Sequence, residues 1–435
     1  MKTQKKSSVK TIKKTSVTRK PIPPKPNAMK TSSAKPTTRR VTTTTSTTKK
    51  TTKKEIKRPT PPKTTTRTTT KSTAKPISIK FVHLDALPPY HIKPRIYAYA
   101  PKNYQNDFRN IFYNISRKTG INWGFSFDKP VKNEIGINFN EISSGPNEVN
   151  ISYNDNIPTE VYLHEYVYKD MSKLMFYFGL SLSLIPEVSR PDRNKYVRIN
   201  YNNIKKDYVK YYNPILINFT QRNSDFDFGS SMLPDQLFGS IDNKNPTYTF
   251  KGYYNSYQKL STNKYKYFSH TDYRLLWDFY RSNTCSNKIF WCKNGGYPDE
   301  FCNKCVCPSF FQGAQCENYK ISSGSCGNQG NFDAKKELDF ILYKNLNGDC
   351  YYTVQSNRKK KVKVRVERLI MPNTKCSTDD NHLGILYLSD KGVEPFTICQ
   401  NTTSLEFSAA SSEVYIHFKI TKGPNLLAVS FQEVD

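Results

Sequence analysis

The placement of the cysteines constrains the fold of this chain more than any other feature. All ten lie after residue 284 of 435, and six of them fall between Cys285 and Cys316. Short spacing of this kind predicts a disulfide framework, which forms in an oxidising compartment. We therefore expect a large domain without cysteines, followed by small disulfide-bonded modules.

The first 80 residues carry most of the positive charge. The whole chain has a formal net charge of +31, and residues 1–80 contain 24 Lys and Arg against one acidic residue, Glu55. Thr, Lys, Pro and Ser dominate this tail, so it cannot bury enough apolar area to offset its ordering entropy, and we expect it to be disordered. This composition fits three roles. The tail could be a solvated linker, an O-glycosylated Thr/Pro-rich stalk, or a segment that binds polyanions such as nucleic acid or heparin-like sugar.

The sequence offers no membrane span and no visible export signal. No stretch approaches 18 apolar residues, and the opening MKTQKKSSVKTIKK lacks the apolar segment of a signal peptide. The cysteines nevertheless indicate an oxidising compartment. We expect a secreted, extracellular protein, and either a further N-terminal segment precedes this sequence or the export route has been lost; we favour the first explanation.

Residues 81–284 have the pattern of one globular domain of mixed helices and strands. PRIYAYAP and IGINFNEI are rich in β-branched and aromatic residues and predict strands. NDFRNIFYNISRKTG has apolar residues at helical spacing and a stop at Gly120. DMSKLMFYFGLSLSLI predicts a buried helix capped by Asp170 or Ser172 and closed by Pro186. TDYRLLWDFYRSN predicts an amphipathic helix capped by Thr271.

The last part of the chain predicts two further modules. Residues 285–317 contain the six closely spaced cysteines, and residues 326–435 alternate polar and apolar residues in short runs, which is typical of an antiparallel β-sandwich. The run RKKKVKVRV places its charges on one face of a strand. We expect that face to be solvated, with contact to heparin-like sugar as the alternative.

Several motifs between residues 186 and 285 resemble the astacin family of zinc metalloproteases. SRPDRNKYVRINYNNI resembles the stretch after the zinc-binding helix, DFDFGSSM resembles the Met-turn, and FSHTDYRLLWDFYRSNTC resembles the closing helix. With the modules downstream, the arrangement is similar to nematode-type astacins. The resemblance implies an α+β multidomain chain: a disordered tail (1–80), a two-lobed metzincin-like domain (81–284), an EGF-like module (285–317) and a CUB-like sandwich (326–435).

The residues that perform the chemistry in that family are missing from this sequence. Aligned on PEVSRPDR, the three zinc-ligand positions hold Phe176, Leu180 and Pro186, and Tyr177 stands at the position of the catalytic glutamate. Benzyl, isobutyl and pyrrolidine groups have no lone pair for a metal, so we expect neither zinc nor hydrolysis. Two further family positions also differ, since Ser183 stands for the flexible glycine and Pro234 for the tyrosine after the Met-turn.

The scaffold residues of the family are retained. Met232 is expected to form the floor beneath the former metal cavity, Glu187 is retained, and Ser189, Arg190, Asp192 and Arg193 are expected to form an ion-pair network at the helix end. In the family, the residue matching Glu187 binds the freed N-terminus of the mature enzyme; no partner for it is evident here. We expect Phe176, Tyr177 and Leu180 to fill the cavity.

The resemblance also implies a disulfide pattern. It gives Cys285–Cys302, Cys292–Cys305 and Cys307–Cys316 in the EGF-like module, and the cysteine spacing suggests Cys326–Cys350 and Cys376–Cys399 in the CUB-like module. Gly120 stands where the family has the early partner of its last protease cysteine, which leaves Cys285 for the EGF-like module. Asp379 or Asp380 matches an acidic residue of calcium-binding CUB modules, but the rest of that site is not evident. Sequons for N-glycosylation begin at Asn114, Asn150, Asn218 and Asn401.

Two histidines need a separate interpretation. His164-Glu165 begins like the zinc motif but has no further histidine at the required spacing, so we expect surface residues on a strand or loop. His270 is expected to be a local cap. The leading hypothesis is a secreted, catalytically inactive binding protein that engages extracellular proteins or peptides, including substrates of active relatives. The alternatives are an active zinc metalloendopeptidase and a polyanion binder acting through the tail.

Overall fold

The computed structural model describes residues 81–435 except 94, 127, 218–223, 257–266, 286–290, 373–379 and 422. The predicted disordered tail, residues 1–80, therefore lies outside the described residues. All described residues belong to one compact unit, Ala74–Asp435. No helix in this described part is long and apolar enough to cross a membrane.

The first lobe is built on a five-stranded sheet. Its strands are β2 (Ile96–Tyr99), β3 (Trp123–Ser126), β4 (Gly136–Ile142), β5 (Glu148–Asn150) and β6 (Thr159–His164). The order is β3-β2-β4-β6-β5, and only the edge strand β5 runs antiparallel to its neighbour. A separate parallel pair joins β1 (Val82–Leu84) to β8 (Ile215–Ile217). Both sequence-predicted strands lie in the main sheet, as β2 and β4.

Helix α1 (Gln105–Thr119) crosses from β2 to β3, as parallel neighbours require. Its apolar residues repeat at the spacing of one helical face, and all are buried: Phe108, Ile111, Phe112 and Ile115. Gly120 ends the helix with a φ of 73°, a left-handed conformation that suits glycine, and its N–H donates to Ser116 O at 2.7 Å. The predicted helix and its glycine stop are confirmed.

Helices α2 (Glu165–Tyr168) and α3 (Met171–Ser181) follow the sheet. Asp170 caps α3 by accepting the backbone N–H groups of Ser172 and Lys173, as one of the two predicted caps. The helix is buried on all sides from Leu174 onward because it lies between the first sheet and the second lobe. The prediction that Pro186 closes the helix is wrong: α3 ends at Ser181, where the chain turns through Ser183 at a φ of 61°.

In the described part of the second lobe, the regular structure is one antiparallel strand pair, one α-helix and several short 3-10 helices. Strands β7 (Val197–Ile199) and β9 (Tyr248–Phe250) pair antiparallel. Helix α4 (His270–Tyr280) begins with a capping box in which Ser269 accepts from the Asp272 N–H and the Asp272 carboxylate accepts from the Ser269 N–H. The predicted cap Thr271 is therefore wrong. Thr271 is the second residue of the helix, and its hydroxyl donates to Gly392 O instead.

The disulfide-rich module consists of two short hairpins. They pair β10 (Tyr297–Pro298) with β11 (Cys305–Val306) and β12 (Phe311–Gln312) with β13 (Asn318–Tyr319). Its bonds are Cys285–Cys302, Cys292–Cys305 and Cys307–Cys316. These are the pairs that the family pattern implies, and the first of them ties the end of the second lobe to the module.

The C-terminal part is a sandwich of two mainly antiparallel sheets. One contains β14 (Ser323–Ser325), β15 (Asn331–Asp333), β17 (Asn347–Gln355), β19 (His382–Leu386), β20 (Phe396–Ile398) and β22 (Glu413–Ile420); the other contains β16 (Asp339–Lys344), β18 (Lys361–Ile370), β21 (Thr402–Glu406) and β23 (Leu426–Val434). Along β18, Val362, Val364 and Val366 are buried, whereas the intervening basic residues face outward. Cys326–Cys350 is formed. Cys399 is also disulfide-bonded, and Cys376, its predicted partner, lies outside the described residues.

Candidate functional site

Aromatic side chains fill the region where the resemblance locates the metal ligands. Phe176, Tyr177 and Leu180 are 3%, 2% and 8% exposed, and Pro186 is also buried. The Phe176 ring contacts Phe238 edge-on, with ring centroids 4.9 Å apart. This contact joins helix α3 to the loop after the Met-turn, so the two walls of the cleft meet through hydrocarbon.

Tyr177, at the position of the family's catalytic base, is deeply buried. Burial raises the pKa of its hydroxyl well above the usual range, and neighbouring tyrosines add to the shift. Its hydroxyl also hydrogen-bonds that of Tyr208. A phenol in this environment stays protonated at neutral pH, so it cannot take a proton from water.

The Met-turn is held by a network of short hydrogen bonds. Asp227 Oδ1 accepts the Gly229 N–H at 2.9 Å, and Ser230 Oγ accepts the Met232 N–H at 2.9 Å. Ser230 Oγ itself donates to Asp272 Oδ1 at 2.6 Å, which anchors the turn to the start of helix α4. Met232 packs directly under helix α3 at Gly179. The approach is so close that a Cβ on Gly179 would lie 2.3 Å from the Met232 sulfur. The glycine therefore permits this contact.

Glu187 has partners within the domain. Its Oε2 lies 3.5 Å from Arg190 Nε and accepts the Asp227 N–H at 3.3 Å, while its own N–H donates to Met232 O at 2.9 Å. Full burial raises the pKa of Glu187 to about 8 despite the opposing attraction of Arg190. The guanidinium of Arg190 is shared, since it also forms a bidentate pair with Asp192 at 2.9 and 3.2 Å.

The retained residues around Glu187 form a partly different network from the one predicted. Arg190 and Asp192 are ion-paired as expected. Glu187, for which no partner was predicted, lies beside the same guanidinium. Arg193 does not join them: its guanidinium donates to the carbonyls of Val188 and Tyr212 and to the Tyr201 hydroxyl. It therefore holds loop backbone together rather than neutralising an acid. Ser189 acts in the same way by donating to Tyr211 O at 2.6 Å.

A loop of the sandwich, residues 390–395, contacts the back of the Met-turn. The Glu394 N–H donates to Asp227 Oδ1 at 3.2 Å, and the Asp390 N–H donates to Asp225 Oδ2 at 2.7 Å. Burial, followed by the charges of Glu394 and Asp272, raises the pKa of Asp227 to about 7. Nothing in the sequence indicated this contact, because the residues it joins are 165 and 167 positions apart.

A cavity of about 580 Å³ opens beside the filled metal positions. It lies between helix α3 and the loop after the Met-turn, and aromatic side chains form much of its wall: Tyr166, Phe176, Tyr177, Tyr208 and Phe238. Lys205 and Asp235 lie at the same wall. The cavity has the size and the mixed lining of a pocket for a small ligand or a peptide side chain.

The order of a buried helix, a methionine turn and a closing helix behind it defines a metzincin-type protease fold. Residues 89–281 match the family model described as Astacin, a peptidase family. This match supports an astacin-type metzincin domain over residues 89–281.

Relatives and solved structures give the following similarities. Zinc metalloproteinase dpy-31 of Haemonchus contortus is 33% identical over 145 residues, 32% of this chain and 26% of that protein. The chain thus spans about a quarter of the length of this curated relative. The hatching enzyme HCE-1 of medaka covers 42% of this chain and 89% of its own, at 17% identity and a TM-score of 0.34. The CUB1-EGF-CUB2 region of human MASP-1/3 covers 33% and 55%, at 14% identity and a TM-score of 0.20.

The family depends on zinc, and the residues at the expected ligand positions do not fit it. Phe176, Leu180 and Pro186 present only carbon to the site, whereas zinc in proteins takes nitrogen, sulfur or oxygen ligands. Within the described ranges, no three His, Cys, Asp or Glu side chains are grouped so that they could hold a metal. Pro234 has no hydroxyl to offer; its carbonyl accepts a hydrogen bond from Tyr248.

His164 and His270, the two histidines considered as possible site residues, each contact a backbone carbonyl group. His164 ends strand β6 and contacts Gly145 O through Nε2 at 2.7 Å, while Glu165 begins helix α2 and pairs with Lys169. His270 is not a cap, contrary to the prediction: it is the first residue of α4, and its Nε2 contacts Gly295 O at 2.9 Å in the disulfide-rich module. Burial lowers the pKa of His270 to about 4.

The predicted glycosylation sites and the acidic residues Asp379 and Asp380 lie in different parts of the chain. Asn114 lies on helix α1, Asn150 at the end of β5 and Asn401 just before β21, whereas Asn218 is outside the described residues. Glycosylation of these positions stays a prediction. Asp380 is described, and its carbonyl contacts His382 Nδ1 at 2.8 Å; Asp379 is outside the described residues.

Proposed function

We propose that this protein is a secreted astacin-like pseudoprotease, catalytically inactive, that acts by binding extracellular proteins or peptides. The observation that carries the proposal is the contact of Phe176 with Phe238 at the expected metal position. A hydrocarbon contact there leaves no group to polarise a carbonyl or activate water. The disulfides support an oxidising, extracellular location.

The cleft is the proposed binding site for an extended peptide. Its cavity of about 580 Å³ accommodates one bulky apolar side chain among the rings, while Lys205 and Asp235 offer opposite charges to the peptide backbone and flanks. Retention of the fold around a filled metal position fits a decoy that holds substrates of active relatives. The disulfide-rich module and the sandwich, as EGF-like and CUB-like modules, would supply further contacts to the partner.

Metal analysis and a cleavage assay test the inactivity. The full chain, purified and dialysed against micromolar zinc, is expected to retain far less than one equivalent of zinc and to leave a quenched peptide library uncleaved. An active astacin-family protease in the same assay provides the positive control. One bound equivalent together with cleavage that a chelator abolishes would overturn the proposal.

Peptide binding is tested with a matched pair of variants. Peptides selected from a random extended library against the full chain are expected to lose about tenfold in affinity on Lys205→Gln, because a charged hydrogen bond is lost. Lys206→Gln removes the same charge from the next position, which does not line the cavity, and is expected to change nothing. Equal effects of the two substitutions would place the peptide elsewhere.

Two alternative functions rest on narrower observations. The match to zinc metalloproteinases favours a zinc metalloendopeptidase, which would require ligands from outside the positions that the resemblance assigns. The charge of residues 1–80 favours polyanion binding by the tail. Deletion of residues 1–80 tests the second alternative. Polyanion binding that disappears with the tail and falls steeply with salt concentration would support it.

A further inference from the structure

A second cavity, of about 440 Å³, lies where the protease-like domain, the disulfide-rich module and the sandwich meet. We refer to it as the junction pocket. Residues from all three parts line it, with Lys118 and His270 from the first, Phe310 from the second and His417 from the third. Its volume lies within the usual range for small-ligand sites. Because three modules supply its walls, the pocket exists only in the assembled chain.

Cationic groups outnumber the acids of the junction pocket. Lys118, Lys320 and Lys419 line it together with two carboxylates, Asp349 and Glu394. Both carboxylates are engaged, since Asp349 Oδ1 contacts His417 Nε2 at 2.9 Å and Glu394 Oε1 accepts the His270 N–H at 3.0 Å. Neither Lys118 nor Lys320 has a carboxylate within hydrogen-bonding distance among the described residues. Loss of water within the pocket lowers the pKa of both amines, which an anionic partner would reverse.

Two histidines, His382 and His417, lie side by side in the pocket lining. Burial lowers the pKa of His417 to about 4, and the neighbouring His382 and Lys320 lower it further, although Asp349 opposes them. The His417 and His382 rings meet edge to face, with centroids 5.0 Å apart. His417 is therefore neutral at neutral pH, and the positive charge of the pocket comes from its lysines.

Flat rings and hydroxyl groups form the rest of the lining. Tyr351 stacks on His417 at 4.3 Å with an interplanar angle of 3°, and Phe310 contacts Tyr351 edge-on. Ser309 and Thr397 add hydroxyl groups at the same surface. Aromatic faces beside hydroxyls and amines suit a ring that is apolar on its faces and polar at its rim, which describes a sugar.

We propose that the junction pocket binds a mono- or disaccharide unit that carries sulfate or carboxylate groups, with Lys118 and Lys320 as its anion contacts. This site is separate from the peptide cleft and does not depend on whether the cleft binds peptide. It is also distinct from the basic face of β18, where Lys363 and Arg365 already pair with Glu406 and Glu367.

Calorimetry with the full chain tests the site. The probe is a disulfated heparin-derived disaccharide, with its unsulfated counterpart as the negative ligand. Lys118→Gln and Lys320→Gln are each expected to weaken binding about tenfold, as for loss of one charged hydrogen bond. Lys361→Gln, on the exposed face of β18, is the matched control and is expected to have no effect. The pocket lysines end in solvent-accessible space, so unchanged thermal unfolding of the variants is expected.

Histidine NMR signals locate the ligand. The chain has six histidines, so the C2–H signals of the pocket histidines are resolvable. The disaccharide is expected to shift those of His382 and His417 and to leave His164 unmoved. An intact heparin chain is expected to bind also through the tail, so its affinity, unlike that of the disaccharide, should fall on deletion of residues 1–80. Absence of binding at millimolar disaccharide, equal weakening by Lys361→Gln, or tighter binding of tyrosine O-sulfate would overturn the proposal.

Discussion

Arg274 and Asp390 form a buried bidentate ion pair between helix α4 and the sandwich. The two bonds measure 3.0 and 2.5 Å, and the side chains are only 4% and 11% exposed. Beside the pair, the backbones of Gly295 and Gly392 approach so closely that a Cβ on Gly295 would lie 2.3 Å from the Gly392 nitrogen. The protease-like domain and the sandwich therefore share a buried, closely packed interface in addition to their connection along the chain.

Removal of one partner of this pair should be strongly destabilising. Arg274→Met leaves the Asp390 carboxylate buried without its counter-charge, which costs about 3–5 kcal/mol. We expect the urea midpoint of unfolding to fall accordingly, whereas Lys360→Met, in the exposed pair with Asp435, should leave it unchanged. The double variant Arg274→Met/Asp390→Leu should recover much of the loss. If Arg274→Met matched the Lys360→Met control, the pair would not be buried in solution.

Glycine at position 183 should stabilise the protein. Ser183 adopts a φ of 61°, in the left-handed region that costs a side-chain-bearing residue about 1 kcal/mol or more. We expect Ser183→Gly to raise the free energy of unfolding by about 0.5–1 kcal/mol after the entropic cost of glycine. Ser183→Ala removes the same hydroxyl but keeps the strain, so it serves as the control and should not stabilise. A gain in both variants would assign the effect to the hydroxyl.

Gly179 and Met232 should behave as a coupled pair. A methyl group at position 179 meets the Met232 sulfur, and overpacking of this kind costs about 1–3 kcal/mol. Gly179→Ala is therefore expected to lower the midpoint of chemical unfolding. Combined with Met232→Ala, which vacates the space, the same substitution should cost clearly less than it does alone. Strict additivity of the two changes would argue against direct contact.

The buried Glu187 should make stability fall as the pH rises. Its carboxyl loses a proton near its ordinary pKa when unfolded but only at about 8 when folded, so between these values the folded state binds more protons. The contribution of Glu187 is therefore complete at low pH and is lost as the pH approaches 8. We expect the stability of the wild type minus that of Glu187→Gln to decline across this interval, at up to about 1.4 kcal/mol per pH unit. The subtraction removes the opposite effect of His270, whose pKa is lowered. A flat or rising difference would contradict the burial.

The elements that were predicted correctly carry local signals. The spacing of Phe108, Ile111 and Phe112 predicted helix α1, and the glycine that follows it predicted its end. Asp170 was one of two residues that could cap α3, and only the structure distinguishes them. At helix α4, the Ser269-x-x-Asp272 spacing of a capping box was present in the sequence and would have corrected the choice of Thr271.

The parts that the sequence did not predict depend on distant contacts. The end of α3 is set by the turn at Ser183 that carries the chain beneath the second lobe, so the helix stops before Pro186 gives any signal. The charge of Arg193 suggested an ion pair, but in the structure its guanidinium donates to backbone carbonyl groups instead. His270 and Asp390 belong to an interface between modules, and no periodicity or spacing encodes such a surface.

The bond from Cys285 to Cys302 also has a mechanical consequence. Together with the Arg274–Asp390 pair, it gives any tension on the C-terminal end two parallel routes into helix α4. Because the disulfide is covalent, a pull that breaks the Arg274–Asp390 pair would still leave Cys285 and Cys302 joined, so the module stays attached to the end of the second lobe.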